Sequence, residues 1–446
     1  MQRNNSRKAG LIVACLLVAS SGLFAQTTNS FSVKQAVDYA MQHAVQVRNA
    51  LVDIKIQRQT NREVTSAAFP QINGSFTLND YLDIPTSLIP AEFTGGTPGT
   101  YIPLQFGTKY NATGGIDISQ LLFDGQVFVG LQARSAVLKF AEKQAEVTKE
   151  QIKVNVYKIY YQLVVGQKQL SAVDANIERF EKLLNDTKEI YKNGFAEKLD
   201  VDKVSVQLNN LKTERTKIEN QLQAGNAGLK FLLNMPQKET LALTDSLTED
   251  ELKAQVLTDS IRYEDRQEYQ LLQLGKKLGE YNIRRYKLSY LPTVAAFGSY
   301  SKNAQRGKFD FFNDGPWFST SLIGLKVSVP IFDGFAKRAR VSKARFELEK
   351  TNNNIEQLKA AIDNELVQAN INITSALVTV DNQKQNMKLA EQVYNTTKLK
   401  YEQGLGSNQE IYTAQTELKV AQSNYYGALY DAIVAKIDFL KATGKL

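Results

Sequence analysis

The distribution of proline constrains this chain more than any other feature. Nine prolines occur in 446 residues, at positions 70, 85, 90, 98, 103, 236, 292, 316 and 330. None falls in 104–235, and none in 331–446. Proline inside a helix removes a backbone donor and clashes with the preceding turn, at a cost of about 3 kcal/mol. Tracts without it are where long helices can form. Both tracts are rich in Gln, Lys, Glu, Ala, Leu and Asn, with apolar residues at helical spacing. Each reads as two helices joined by a tight turn. The turns are Asn193-Gly194 and Gly404-Leu405-Gly406, where glycine supplies a left-handed cap. The longer helices run from about Gln126 to Asn193 and from about Phe335 to Gln403. About 68 residues at 1.5 Å each span about 100 Å, well beyond the three or four turns usual in compact domains.

The apolar seams of the two long helices match. In the first, Leu131, Leu138, Ala145 and Ile152 recur every seven residues. An eleven-residue step follows, and Leu163, Leu170, Ile177, Leu184 and Tyr191 resume the sevens. In the second, Val341, Leu348, Ile355 and Ile362 lead by the same step to Ile373, Val380, Met387, Tyr394 and Tyr401. This is a coiled-coil seam with one stutter, which locally unwinds the supercoil. Every seam position recurs 210 residues later, so the spacing predicts an internal duplication. Other landmarks agree: Phe123-Asp124-Gly125 with Phe332-Asp333-Gly334, Phe69-Pro70 with Leu291-Pro292, and Tyr191-x-x-Gly194 with Tyr401-x-x-Gly404. Each half reads as helix, strand, strand, long helix, turn, helix. The halves are placed at 26–234 and 260–446, with tips at 193–196 and 403–407. The shorter helices are placed at Ser32–Ala68, Glu197–Asn234, Ser260–Tyr290 and Ser407–Thr443. The polar segment 235–259 reads as an irregular connection.

Between the short and long helices lie segments with period-two patterning. Tyr110, Ala112, Ile116 and Ile118 alternate with Asn111, Thr113, Asp117 and Ser119. Ile72, Phe76 and Leu78 alternate with Asn73, Ser75, Thr77 and Asn79, and Ile323, Leu325, Val327 and Val329 with Leu322, Gly324, Lys326 and Ser328. A fourth strand is compatible with 293–302. One apolar and one polar face suits a strand between lipid and a watery lumen. It also suits a sheet packed on a soluble core. Four strands cannot close a barrel, and no lipid-exposed edge is tolerable, so several copies would have to combine. Three copies give twelve strands. Asp117 and Lys326 would then face the lumen, where opposite charges on neighbouring strands can pair. The loops 82–108 and 303–316 would face outward, with Phe309, Phe311, Phe312, Trp317 and Phe318 placed for an interfacial aromatic girdle.

Composition narrows the function classes. One Cys and one His exclude a His/Cys metal centre and a disulfide framework, and they leave no nucleophile–base set. No enzyme activity, metal or cofactor is expected, and His43 reads as a packed or surface residue. Arg3, Arg7 and Lys8 precede an apolar stretch from Leu11 to Phe24, which reads as a secretory signal peptide (1–25) cleaved after Ala25. Ile12-Val13-Ala14-Cys15 has the look of a lipobox, but only four apolar residues end at Cys15. The net charge of +8 is interspersed, and a secreted chain with no basic stripe argues against nucleic acid.

The duplicated plan, the Phe-Asp-Gly after the second and fourth strands and the Tyr-x-x-Gly turns resemble those of TolC-like outer membrane efflux proteins, over essentially the whole mature chain. The resemblance implies a homotrimer: a twelve-stranded outer membrane β-barrel continued by a periplasmic α-helical coiled-coil barrel. It implies a passive exit duct of a tripartite efflux or type I secretion system. The tips would dock a periplasmic membrane fusion protein, which joins the duct to an inner-membrane pump of the RND, ABC or MFS type. The tips here are Asn193, Gly194 and Phe195, and Gln403, Gly404, Leu405 and Gly406. Asp200 and Glu410 match acidic residues just past each turn in similar family members, and Tyr401 matches a gate tyrosine. Gly406 stands where the resemblance would place a locking arginine, and Thr413 where it would place a second acid. Asp200 and Glu410 are also well placed to cap helix starts, Ser407-Asn-Gln-Glu410 having the form of a capping box. The competing class is a periplasmic coiled-coil adaptor or structural protein without a pore. Such adaptors usually carry one helical hairpin, whereas this chain has two and paired alternating strands.

Overall fold

The computed structural model describes residues 28–245 and 262–446. The signal peptide with Cys15, most of the connection 235–259 and the expected helix start at Ser260 lie outside the described residues. The elements, in order, are β1 (Thr28–Phe31), α1 (Val33–His43), α2 (Val45–Ser66), β2 (Gln71–Asp80), β3 (Thr86–Pro90), β4 (Tyr101–Gln105), β5 (Tyr110–Phe123), α3 (Gly125–Lys192), α4 (Lys198–Leu233), β6 (Thr240–Leu243), α5 (Gln267–Leu288), β7 (Thr293–Arg306), β8 (Phe318–Ser328), α6 (Ala336–Glu402) and α7 (Asn408–Ala442). The long helices have 68 and 67 residues. No described helix is long and apolar enough to cross a membrane.

The chain divides into two compact units. One holds residues 51–144 and 268–358, the other the described residues up to 50, 145–267 and 359–446. The first is built on a four-stranded antiparallel sheet in the order β2-β5-β7-β8. β7 continues to Arg306, past the loop boundary expected at 303. The long helices start at the Phe-Asp-Gly motifs because the aspartate caps them. Asp124 Oδ1 accepts from the N–H groups of Gln126 (2.7 Å) and Val127 (3.2 Å), and Asp333 Oδ2 from that of Lys337 (2.8 Å). At Gly125 a Cβ would lie 2.7 Å from the Leu288 carbonyl oxygen, so only glycine lets the strand turn into the helix there.

The second unit is helical. Ala36, Val37, Ala40 and Val47 pack with Ile152, Val156, Tyr160 and Leu163 of α3 and with Leu229, Leu232 and Leu233 of α4. A second core joins the two hairpins: Val173, Phe180 and Leu183 of α3, Val204, Leu208 and Leu211 of α4, Tyr394 of α6, and Ile411, Ala414 and Leu418 of α7. The seam of α6 is buried or half-buried throughout. That of α3 is too, except Tyr191, which is exposed at the helix end.

Several expectations are corrected. The first helix breaks at Ala44, whose backbone is extended (ψ 130°) while its side chain is fully buried. α5 starts at Gln267 after a 3-10 turn at Tyr263–Asp265. The connection is not wholly irregular: β6 pairs in parallel with β1, Thr28 to Thr240 through Phe31 to Leu243. The Tyr160 hydroxyl ties this pair to α3, donating to the Phe31 carbonyl (2.8 Å) and accepting from the Asp245 N–H (3.2 Å). The outward loop contains the β3–β4 hairpin. His43 stacks on Tyr39 with ring centroids 4.0 Å apart.

Candidate functional site

Two regions carry the expected site residues, one in each unit. The first is the sheet. Cross-strand partners point to the same face and residues two apart share it, so the registers assign every side chain. Asn73, Asp117, Ser299 and Leu322 lie in one row, and Ser75, Gly115, Ser301 and Thr320 in the next. This face is lined by Asn, Ser, Thr and Gln, and Asn303 Nδ2 bonds Asn111 Oδ1 and Thr113 Oγ1 at 3.2 Å each. The opposite face carries Ile72, Phe76, Ile116, Ile118, Tyr300, Ile323, Leu325 and Val327. All eight are exposed, Ile323 at 93%. These eight residues pack on no core within the described chain, whereas Ala112 and Ala304 at the loop end of the same face are buried, and β2 and β8 each leave an open edge.

Asp117 and Lys326 are both exposed and both on the polar face. They are not on neighbouring strands. β7 separates them, Asp117 lying level with Ser299 and Lys326 with Ala295. Pairing within one chain is therefore excluded. The offset of 209 residues sets equivalence between halves but not strand order, which is why sequence alone misplaced them. The aromatic loop forms a cluster: Tyr110 on Phe309 (5.8 Å), Phe309 on Phe311 (5.6 Å) and on Phe312 (6.3 Å), and Phe311 on Trp317 (6.4 Å). Phe318 departs from the expected girdle. It opens β8 opposite Asn303, on the polar face.

The second region is the pair of hairpin turns. Both glycines are left-handed, Gly194 at φ 80° and Gly404 at φ 76°. Gly194 N–H donates to Tyr191 O (2.9 Å) and Phe195 N–H to Ile190 O (3.0 Å). Gly404 N–H and Leu405 N–H repeat this with Tyr401 O (3.0 Å) and Lys400 O (2.9 Å). These closures satisfy the last carbonyls of each long helix. They hold Phe195 and Leu405 in solvent, 86% and 77% exposed. Asn193 and Gln403 are exposed beside them, and Gly406 is half-buried.

Asp200 and Glu410 both sit in first turns, and the capping differs from expectation. The full capping box is at Glu197, whose N–H donates to Asp200 Oδ2 (3.3 Å). At the second turn only half is made: Ser407 Oγ accepts from the Glu410 N–H (3.2 Å), without the reciprocal contact. The Tyr401 hydroxyl is buried against Thr187 without a well-formed hydrogen bond. Burial pushes this phenol up; its nearness to Thr187 opposes the rise, and the charges of Asp186 and Asp200 add to it. The fold thus brings Asp200 and Tyr401 from different hairpins into one electrostatic neighbourhood. Sequence reasoning missed the link between hairpins. Thr187 is fully buried, its Oγ1 2.8 Å from Leu183 O and 3.1 Å from Asn408 Oδ1. Its only advance signal was a small polar residue one turn before Tyr191. Among the described residues no group of His, Cys, Asp or Glu could hold a metal ion.

Residues 272–445 match the family described as Outer membrane efflux protein. Over that segment the chain is similar to the outer membrane efflux proteins. It is 21% identical over 338 residues to the outer membrane protein TolC of Vibrio cholerae, covering 74% of this chain and 76% of TolC. It is 22% identical over 444 residues to the outer membrane efflux protein BepC of Brucella suis, covering 98% and 90%. In fold, the chain resembles the outer membrane protein VceC of Vibrio cholerae, with a TM-score of 0.71 at 14% identity, covering 92% of this chain and 96% of VceC.

Proposed function

We propose that three copies of this chain close a twelve-stranded barrel in the outer membrane, continued into the periplasm by their helical hairpins. The assembly acts as a passive exit duct for efflux or secretion. One observation carries this reading: a four-stranded sheet with both edges open and most of one apolar face exposed. Such a sheet is untenable alone in water, and in lipid it must close. Threefold closure pairs β8 of one copy with β2 of the next, turns the Ile323 face to lipid and encloses the Asn/Ser/Thr face around water. A periplasmic adaptor or structural coiled coil would leave that apolar face without use. The names of the relatives support location in the outer membrane. The chain acts as two repeats, 26–234 and 260–446, each giving two strands and one hairpin.

The hairpin tips are the docking surface for a periplasmic membrane fusion protein and, through it, an inner-membrane pump. Phe195 and Leu405, apolar and solvent-exposed at the turns, support this. Asp200, Glu410 and Tyr401 form the gate. Three copies bring six of these carboxylates to the narrow end, a basis for cation selectivity and for block by multivalent cations. The same acids cap helices, so replacing both by Ala separates the roles: loss of block and selectivity supports the gate, and wild-type values refute it. The duct itself is tested by fractionation and planar-bilayer recording. A heat-modifiable oligomer in outer membranes that conducts ions supports it, and a water-soluble non-conducting protein refutes it.

A further inference from the structure

The polar face of the sheet carries two charged side chains across its four paired strands, Asp117 and Lys326. Each stands the same number of residues before its Phe-Asp-Gly motif, Asp117 before Phe123 and Lys326 before Phe332. Each is thus equally far along the chain from the aspartate that caps its long helix. The stagger between them brings them close to one height. Asp117 is level with Ser299 and Lys326 with Ala295, a step of four residues along β7 between strands two apart. The strand ends step the same way, Tyr110 lying opposite Arg306 and Phe318 opposite Asn303. Membrane strands tilt by about 35–45°, and two spacings of about 4.8 Å at that tilt give a stagger of about two to three residues. Most of the four-residue step is therefore tilt.

We infer that in the closed barrel Asp117 and Lys326 form one ring of alternating sign, three carboxylates and three ammonium groups at a common height around the lumen. The inference rests on the threefold barrel proposed above and adds a property that the barrel does not imply. A ring of one sign selects ions. In an alternating ring the fields cancel on the axis and act only near the wall. The rest of this face is uncharged, so the barrel admits cargo of either sign. Each half of the ring is a latent filter masked by the other.

The test is single-channel recording of the full-length protein with Asp117→Asn, with Lys326→Gln, with both, and with the exchange Asp117→Lys plus Lys326→Asp. The first should shift selectivity toward anions and the second toward cations, each by about twofold or more at 0.1 M salt, where the Debye length is about 10 Å. Both shifts should vanish at 1 M, where it is about 3 Å. The double neutralisation and the exchange should each match wild type, in selectivity and in the symmetry of current with voltage. Channels insensitive to both single substitutions refute the ring and leave the duct standing. An exchange that inverts current asymmetry places the two charges at different heights and also refutes it. A wild-type protein that forms no channel refutes the barrel, and the ring with it.

Discussion

Ile323 and Leu322 are consecutive on β8, both exposed in the chain at 93% and 46%, and face opposite ways. Ile323 shares its row with Gly298, Ile118 and Ile72, in the middle of the apolar face. If that face meets lipid, Ile323→Lys puts a charge near the bilayer midplane at a cost of about 2–4 kcal/mol per chain. Three copies make this about 6–12 kcal/mol per trimer, comparable to the whole stability of a domain. Leu322→Lys places the same charge over water in the lumen and should change stability by less than about 0.5 kcal/mol. The assay is the heat-modifiable oligomer in the outer membrane fraction, with its melting temperature on a gel series. Loss of the oligomer with Ile323→Lys and its retention with Leu322→Lys is the expected result. If both variants assemble alike, the apolar face is not in lipid and the reasoning fails.

Three further outcomes follow from the structure. Gly404→Pro, at a position held at φ 76° where proline requires about −65°, should abolish export while leaving the trimer assembled; normal export in cells would show that the tip geometry is not used. Glu365 is pushed up by burial but held lower overall by Arg266, at 2.9 Å, and Lys441, at 3.4 Å. Its stabilising contribution is therefore present above the ordinary value of 4.5 and lost as pH falls through the depressed folded value; with the side chain partly exposed and solvent-screened, Glu365→Gln should cost about 1 kcal/mol and flatten the acid limb of a melting-temperature–pH profile, and an unchanged profile contradicts this. The sole cysteine is Cys15, so Ser299→Cys and Gly298→Cys can be labelled selectively in the intact membrane. A charged, membrane-impermeant thiol reagent should modify the first, on the polar face, and not the second.

Much of the fold was legible because its punctuation is local. Prolines bounded the helical tracts and Gly194 and Gly404 marked the turns, each through a backbone requirement met within a few residues, whereas the capping role of Asp124 and Asp333 came from the structure. Alternation along 72–79 and 110–119 was enough to find strands and their faces. What escaped depends on distant partners. β1 and β6 are four residues each, too short to show a period, and their pairing joins Thr28 to Thr240. The break at Ala44 carries no glycine or proline to announce it, although Ala44 and Val47 beside it are both buried. The turns could be placed from sequence, but the Thr187–Asn408 link and the Asp200–Tyr401 neighbourhood could not, because they depend on how two hairpins 210 residues apart pack together. Strand order had the same limit: Asp117 and Lys326 looked adjacent until β7 was seen between them.

The threefold barrel requires that one chain be an incomplete barrel by itself. Native mass measurement of protein extracted by mild detergent from outer membranes tests it most directly. The expected result is a single species of three chains, with no folded monomer persisting on dilution. A stable, folded monomer in that extract would contradict it.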